Sequence, residues 1–194
     1  MKRQSVNFNN ILTEKGWSLF LDRDGVINRH IERGYVLNPG QLEIIEGVSS
    51  ALPLLSRYFN YIFIVTNQQC VGRGLITMSE VDAIHDMMRS LIDPKRQYIT
   101  DIFVSPCIEE ERNEYRKPGT GMAKKAAALY RGVNLSRSVM AGDSATDMIF
   151  GRNAGMLNVL IGRESVEDIS LYDWSFNSLY DFAVEIETQA MELI

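Results

Sequence analysis

The stretch that decides the fold is residues 17–28, WSLFLDRDGVIN. Residues 17–21 are compact and largely apolar, which is typical of a strand buried on both faces in a parallel sheet. Asp22 ends that run, Asp24 follows two residues later, and Gly25 permits a sharp backbone turn. In open parallel sheets, ligands bind beyond the carboxyl ends of the strands. The stretch therefore predicts a buried strand that carries two carboxylates to a ligand-binding edge.

Four further short apolar runs have the same character: residues 61–65, 102–104, 139–141 and 158–161. Helical patterns alternate with them, at residues 47–58, 79–92, 121–130 and 145–154. We expect Ser79 and Asp82 to begin the second helix with a near capping box, and Pro53 to lie near the first turn of the first helix or to kink it. This alternation predicts an α/β fold, a three-layer Rossmann-like parallel sheet with helices on both faces and no large cap domain.

The composition is that of an ordinary globular chain, with 194 residues, 23% of them charged, and a net charge of −5. The acidic balance argues against nucleic-acid binding, and no apolar run is long enough to predict a membrane span. The first residues lack the apolar run of a secretory signal, and Cys70 and Cys107 are too few for a disulfide framework. We therefore expect a single domain, a monomer in a reducing cytoplasm, with neither nucleic acid nor membrane as a partner.

Three segments are expected to lie outside the regular elements. Residues 1–16 predict an N-terminal extension with weak structure of its own. Residues 28–43 are rich in loop residues and predict a flap over the ligand-binding edge, and residues 106–116 predict a charged loop beside it. Near the C-terminus, Trp174 and Phe176 are expected to cover the edge of the sheet.

A second pair of carboxylates, Asp143 and Asp147, lies in AGDSATDM at residues 141–148. Asp143 follows the fourth strand, where it could also be the N-cap of the next helix, and Asp147 could be a solvated helix residue. At the same sheet edge as Asp22, Asp143 would complete an oxygen-rich cluster, which suits Mg²⁺, and Asp147 is a further candidate for the group around that cation.

Groups that could bind phosphate follow the other strands. Thr66 and Asn67 end the second strand, where they could donate to phosphate oxygens or form a simple turn. Arg116 and Lys117 begin RKPGTGM and could bind anions or be a solvated basic pair. Together these groups suggest phosphoryl transfer. Asp22 would attack phosphorus and form an aspartyl-phosphate, Asp24 would act as general acid and base, and Mg²⁺, Thr66 and Lys117 would neutralise charge.

Four segments, LFLDRDGVIN, VTN, RKPGTGM and AGDSATDM, resemble the ordered motifs of the haloacid dehalogenase-like phosphohydrolases. GYV, TNQ and VGRG resemble the branch that contains heptose bisphosphate and histidinol-phosphate phosphatases, and the similarity runs from about Trp17 to the end. The resemblance implies that Asp22 is the nucleophile and Asp24 the general acid and base, and that Thr66 and Lys117 hold the transferring phosphate. It implies the metal ligands Asp22, the Asp24 backbone carbonyl and Asp143. It also implies substrate contacts from Arg116, Asn67, Gln68, Gly34 and Tyr35.

Two departures from this branch stand out. Its members usually carry a zinc loop, but here only Cys107 remains, with Glu109, Asn113 and Tyr115 in place of the other ligands. Because tetrahedral zinc needs four nitrogen or sulfur ligands, we predict no structural zinc. Ser144 stands where the heptose enzymes usually have lysine, which leaves the substrate open.

The sequence predicts a Mg²⁺-dependent phosphatase of a small phosphorylated metabolite. The first candidate reaction removes the 7-phosphate of D-glycero-D-manno-heptose 1,7-bisphosphate, and the alternatives within the class are histidinol phosphate and other sugar phosphates. A polynucleotide 3′-phosphatase is disfavoured by the net charge. A receiver-type phosphoacceptor module is the alternative from another class, but such a module does not need a general acid and base at Asp24.

The two histidines are expected to be peripheral, His85 on a helix surface and His30 in the solvated flap.

Overall fold

The computed structural model describes residues 8–162 and 166–193. Its six strands are β1 (Ser18–Leu21), β2 (Tyr61–Asn67), β3 (Ile99–Ser105), β4 (Ser138–Gly142), β5 (Leu157–Ile161) and β6 (Trp174–Phe176). They form one parallel sheet in the order β3-β2-β1-β4-β5-β6. Its helices are α1 (Asn9–Thr13), α2 (Val48–Leu55), α3 (Gln69–Gly72), α4 (Met78–Ile92), α5 (Gly121–Leu129), α6 (Ala145–Ala154) and α7 (Leu179–Glu192). The predicted α/β fold is confirmed.

Successive residues of the central strands pack on opposite faces of the sheet, which separates two hydrophobic cores. Leu19 and Leu21 of β1 join the core that also contains residues of α2, α4 and α7, whereas Phe20 joins the core that contains residues of α5 and α6. Both faces are therefore covered, as the continuous apolar runs predict.

Two helix ends differ from the expectation. Helix α4 begins at Thr77, whose side chain accepts from the backbone N–H of Glu80 while the Glu80 carboxylate accepts from the Thr77 N–H. The capping box therefore lies two residues before Ser79, because Thr77 and Glu80 have the required spacing and a reciprocal pair satisfies two N–H groups. Pro53 lies inside α2, in its last turn and not in its first.

The expectation of weak structure before β1 is wrong for residues 8–16. Phe8 is only 1% exposed, and its ring centroid lies 4.6 Å from that of Trp174 and 5.7 Å from that of Phe182. The indole N–H of Trp17 donates to the Asn10 carbonyl at 3.0 Å. Helix α1 is thus packed onto the sheet edge by aromatic burial, although its polar sequence shows no helical periodicity. Residues 1–7 lie outside the described residues.

The C-terminal region adds a strand that the sequence interpretation did not identify. Trp174 and Phe176 lie in β6, which pairs with β5 at the sheet edge, so they extend the sheet as well as covering it. The run is only three residues long, which is too short for a clear alternation. Among the described residues, no helix is long and apolar enough to cross a membrane.

Candidate active site

The predicted functional side chains meet where the central strands end. Asp22 follows β1, and its backbone N–H donates to the Ala141 carbonyl of β4 at 3.0 Å. A cavity of about 310 Å³ lies at this edge. The residues that line it include all ten of the predicted site residues, Asp22, Asp24, Gly34, Tyr35, Thr66, Asn67, Gln68, Arg116, Lys117 and Asp143. The structure therefore brings all of the predicted site residues together around one cavity.

Lys117 lies between two carboxylates in the floor of this cavity. Its Nζ is 2.7 Å from Asp22 Oδ1 and 2.6 Å from Asp147 Oδ1, and its side chain is 3% exposed. Burial alone would lower the pKa of Lys117, but the two carboxylates outweigh it and raise the pKa above its ordinary value. Lys117 is therefore a permanent cation at the point where a phosphoryl group would meet Asp22.

The loop that carries Lys117 is tied to the end of β2. Asn67 donates from Nδ2 to the Lys117 carbonyl and accepts on Oδ1 from the Lys117 N–H, both at 3.0 Å. This pair of bonds fixes the backbone of Lys117 relative to the end of β2. Thr66, the residue before Asn67, is 1% exposed. Asn67 thus has a positioning role in addition to lining the cavity.

Asp22 is buried and crowded by negative charge. Burial raises its pKa to about 7, and the Asp147 carboxylate adds to this effect, while Lys117 opposes it. The Arg23 backbone N–H donates to Asp22 Oδ1 at 2.7 Å. Burial and the Asp147 carboxylate therefore destabilise the ionised form of Asp22. A second cation in the site would stabilise it.

Asp24 is held in a different way, by hydrogen-bond donors on both oxygens. Arg23 Nη2 is 2.9 Å from each oxygen, Asn28 Nδ2 donates to Oδ1 at 2.9 Å, and Gln68 Nε2 donates to Oδ2 at 2.9 Å. Burial pushes the pKa of Asp24 upward, but the Arg23 guanidinium and these hydrogen bonds outweigh it and lower the pKa below its ordinary value. The two neighbouring carboxyl groups thus differ in proton affinity, with Asp22 the weaker acid and Asp24 the stronger.

Three carboxylates are placed so that they could hold a metal ion. Oxygen atoms of Asp22, Asp143 and Asp147 all lie within 4.8 Å of one another. The Asp24 side chain is not part of this group, and its oxygens are bound to Arg23, Asn28 and Gln68. The family resemblance implies that Asp24 would contribute its backbone carbonyl instead. A group made of carboxylate oxygens suits a hard divalent cation such as Mg²⁺.

Two glycines allow the carboxylates to approach this closely. Gly25 has a φ of +87°, and a Cβ there would collide with the Asp143 carboxylate. A Cβ at Gly142 would collide with Asp147.

The residue that caps α6 is also settled. Ser144 and Asp147 form the capping box of α6, so Ser144 and not Asp143 is the N-cap.

The two predicted loops border the cavity. Gly34 and Tyr35 of the flap line it, together with the exposed His30. In the second loop, Arg116 Nη1 donates to the Cys107 carbonyl at 3.3 Å, and the Gly72 N–H donates to the Pro106 carbonyl at 3.1 Å. Such hydrogen bonds can shape the loop without a metal. The absence of structural zinc stays a prediction, which elemental analysis of the purified protein would check.

Sequence reasoning missed two residues of this site, Arg23 and His85, and left a third, Asp147, open between a solvated position and a place near the cation. Asp147 is 1% exposed and paired with Lys117, so it is not a solvated helix residue. Arg23 is 1% exposed and binds Asp24. The expectation of a surface position for His85 is wrong, since it is 6% exposed and its Nε2 lies 3.2 Å from Arg23 Nη1. Its place on the apolar stripe of α4, four residues after Val81, was the available signal.

Comparisons with known proteins agree with this geometry. Residues 114–180 match a family model described as HAD-hydrolase-like. The chain is 35% identical over 175 residues to a D-glycero-alpha-D-manno-heptose-1,7-bisphosphate 7-phosphatase of Mycobacterium tuberculosis, an alignment that covers 88% of this chain and 91% of that one. It is 30% identical over 183 residues to a D-glycero-beta-D-manno-heptose-1,7-bisphosphate 7-phosphatase of Escherichia coli, covering 89% and 95%.

Solved structures show the same relationship. The D,D-heptose 1,7-bisphosphate phosphatase of B. bronchiseptica, complexed with magnesium and phosphate, superposes with a TM-score of 0.79 at 27% identity and covers 89% of this chain and 99% of that one. A putative HAD-like phosphatase from Mesorhizobium loti gives 0.68 at 25% identity, covering 88% and 86%. With its strand-end carboxylates and buried lysine in one cavity, the chain belongs to the haloacid dehalogenase-like hydrolases and is a phosphatase of that family.

Proposed function

We propose that the chain is a Mg²⁺-dependent phosphatase that removes the 7-phosphate of D-glycero-D-manno-heptose 1,7-bisphosphate through an aspartyl-phosphate. The observation that carries the proposal is Lys117, buried between Asp22 and Asp147 with Asp24 beside them in one cavity. The names of the relatives support the substrate assignment.

In the first half of the reaction, an Asp22 carboxylate oxygen attacks phosphorus and the bond between phosphorus and the sugar oxygen breaks. Asp24 gives its proton to that oxygen, so the sugar leaves as an alcohol. Asp24 is ordinarily a carboxylate, so before this step it takes a proton from solvent, which the negative charge of the arriving phosphate favours. Lys117 faces the transferring group and stabilises the charge on its oxygens.

In the second half, a water molecule attacks phosphorus of the aspartyl-phosphate. Asp24, now a carboxylate, takes the proton of that water, and the bond between phosphorus and Asp22 breaks to release inorganic phosphate. The donors that lower the pKa of Asp24 keep it ionised for this step. Asp24 then returns that proton to solvent, so each residue regains the state that it had before the substrate bound.

The residues that would hold Mg²⁺ are Asp22, Asp143 and the backbone carbonyl of Asp24, with Asp147 close by. Bound there, the ion would supply positive charge to phosphate oxygens and lower the repulsion between the carboxylates. The raised pKa of Asp22, which burial and Asp147 cause, supports a cation at this position.

The rest of a bisphosphate substrate would extend toward the loops. Arg116 lines the cavity beside Lys117, and a guanidinium can bind a second phosphate with two parallel hydrogen bonds. Gly34 and Tyr35 border the same opening from the flap. These positions would select a substrate with a sugar of limited size between two anionic ends.

The test is phosphate release, in the presence of Mg²⁺, from a panel of compounds compared by kcat/KM. The panel contains both anomers of heptose 1,7-bisphosphate, histidinol phosphate, a 3′-phosphorylated oligonucleotide and 4-nitrophenyl phosphate. We expect one heptose anomer to give the highest value. A higher value for histidinol phosphate or the oligonucleotide would overturn the substrate assignment, and failure to release phosphate from any compound would favour the receiver-type module.

The mechanism is tested by Asp24→Asn, with Asp82→Asn as a matched control on the exposed side of α4. We expect Asp24→Asn to lower kcat by about 100-fold or more, the range for loss of a general acid and base. The control should keep wild-type activity. Equal turnover of a sugar phosphate by wild type and Asp24→Asn would refute the role of Asp24.

A further inference from the structure

A buried chain of hydrogen bonds leads from α4 to the candidate acid and base. His85 Nε2 lies 3.2 Å from Arg23 Nη1, and Arg23 Nη2 lies 2.9 Å from both oxygens of Asp24. His85 is 6% exposed and Arg23 is 1% exposed. The phosphatase mechanism described above gives no role to His85, and it uses Arg23 only as a donor that keeps Asp24 ionised.

The chemistry of the two groups fixes the direction of the first bond. A guanidinium has only donors, so His85 Nε2 must accept, and the ring is neutral with its proton on Nδ1. A protonated ring would have no lone pair for this bond and would place a second cation beside Arg23. Burial, together with Arg23, lowers the pKa of His85 to about 3, in agreement with this assignment.

We propose that His85 is a positioning residue for the acid and base, acting through Arg23. The guanidinium is planar and rigid, so a bond that fixes Nη1 also fixes the direction of Nη2 toward Asp24. Arg23 Nε has no hydrogen-bond partner among the described residues. His85 and Asp24 are therefore the two groups whose hydrogen bonds hold the plane of Arg23.

The consequence is a fixed orientation of the Asp24 carboxyl group. Asn28 and Gln68 each bind one oxygen of Asp24, but the single nitrogen Nη2 of Arg23 lies 2.9 Å from both. Proton transfer requires the carboxyl group within hydrogen-bond reach of the leaving oxygen. Loss of the acceptor at residue 85 would let Arg23 rotate and would move Asp24 from that position.

The test compares His85→Leu, which removes the acceptor, with His85→Gln, whose amide oxygen can occupy the place of Nε2. His85→Asn is a second polar variant, whose shorter amide reaches only the place of Nδ1. Met88→Leu is the control, because it changes a buried side chain on the same helix with little change in volume. Thermal melting of every variant establishes that it is folded.

The measured quantity is kcat/KM for two substrates with different leaving groups, the best sugar phosphate of the panel and 4-nitrophenyl phosphate. The sugar alcohol needs a proton to leave, whereas 4-nitrophenolate is a far weaker base than an alkoxide and leaves without one. We expect His85→Leu and His85→Asn to lose about 10- to 100-fold on the sugar phosphate, the range for outer partners of a site. The loss on 4-nitrophenyl phosphate should be much smaller, and His85→Gln should recover most of the activity.

This inference rests on the proposed role of Asp24, and the two can fail separately. An equal loss on both substrates, unchanged activity of His85→Leu, or His85→Gln no better than His85→Asn would each overturn the positioning role while Asp24→Asn stays inactive. A fully active Asp24→Asn would instead overturn the mechanism on which the inference depends.

Discussion

Substitution of Gly25 by alanine should damage the site far more than it damages the fold. Gly25 has a φ of +87°, where an alanine costs about 1 to 2 kcal/mol of folding free energy. The added Cβ would also overlap the Asp143 carboxylate, whereas observed Cβ contacts essentially never fall below 3.0 Å. Asp143 must therefore move by more than about 1 Å, and a displacement of that size can cost about 100-fold in rate.

Gly16→Ala is the matched control for this change. Gly16 has a φ of +92°, but its Cβ would meet no atom within 4 Å, so this variant carries the backbone strain alone. We expect both variants to lower the urea midpoint by similar amounts. In an assay with 4-nitrophenyl phosphate, only Gly25→Ala should lose kcat and require more Mg²⁺ for half-maximal activity. Wild-type activity of Gly25→Ala, or an equal loss in Gly16→Ala, would refute the reasoning.

Three further predictions concern stability. Lys117→Met removes the counter-ion of two buried carboxylates and should lower the free energy of unfolding by about 3 to 5 kcal/mol in urea titrations; an unchanged midpoint would contradict the buried pairing. Phe8→Ala should cost about 3 to 5 kcal/mol in the same assay, because the ring is buried, whereas a dispensable extension would give no change. His85 binds a proton below pH 6.5 when unfolded but only near pH 3 when folded, so wild type should lose stability as the pH falls through that window. Calorimetry of His85→Gln should show a relative gain of about 2 to 3 kcal/mol between pH 7 and 4.5, and the exposed flap variant His30→Gln should not.

The sequence was sufficient to predict the sheet and the residues that end its strands. Buried parallel strands have to be apolar on both faces, so they leave continuous runs that are visible in the sequence. The polar residue after each run must then lie at the common edge, which is why Asp22, Thr66 and Asp143 could be placed in one cavity. Helix α6 was also predicted at its observed bounds, because Gly155 ends it in the left-handed conformation.

What the sequence could not show is how side chains from separate elements pair. Periodicity places His85 on the buried face of α4, but it does not reveal that Arg23, from another element, is its partner. In the same way, Phe8 packs against Trp174 across a large distance in sequence, so the local polarity of residues 9–16 was misleading. Contacts of this kind depend on tertiary packing, which overrides local propensity.

The charge balance of the site also depends on tertiary packing, which brings charged side chains of separate elements together. The net charge of −5 says nothing about which charges meet. In the folded chain, oxygen atoms of Asp22, Asp143 and Asp147 lie within 4.8 Å of one another, and Lys117 is paired with Asp22 and Asp147. Coulomb repulsion in such a buried place is stronger than at the surface. The lysine alone therefore does not make this edge attractive to phosphate, and the same carboxylates that create the repulsion are the ligands that would bind the divalent cation needed to remove it.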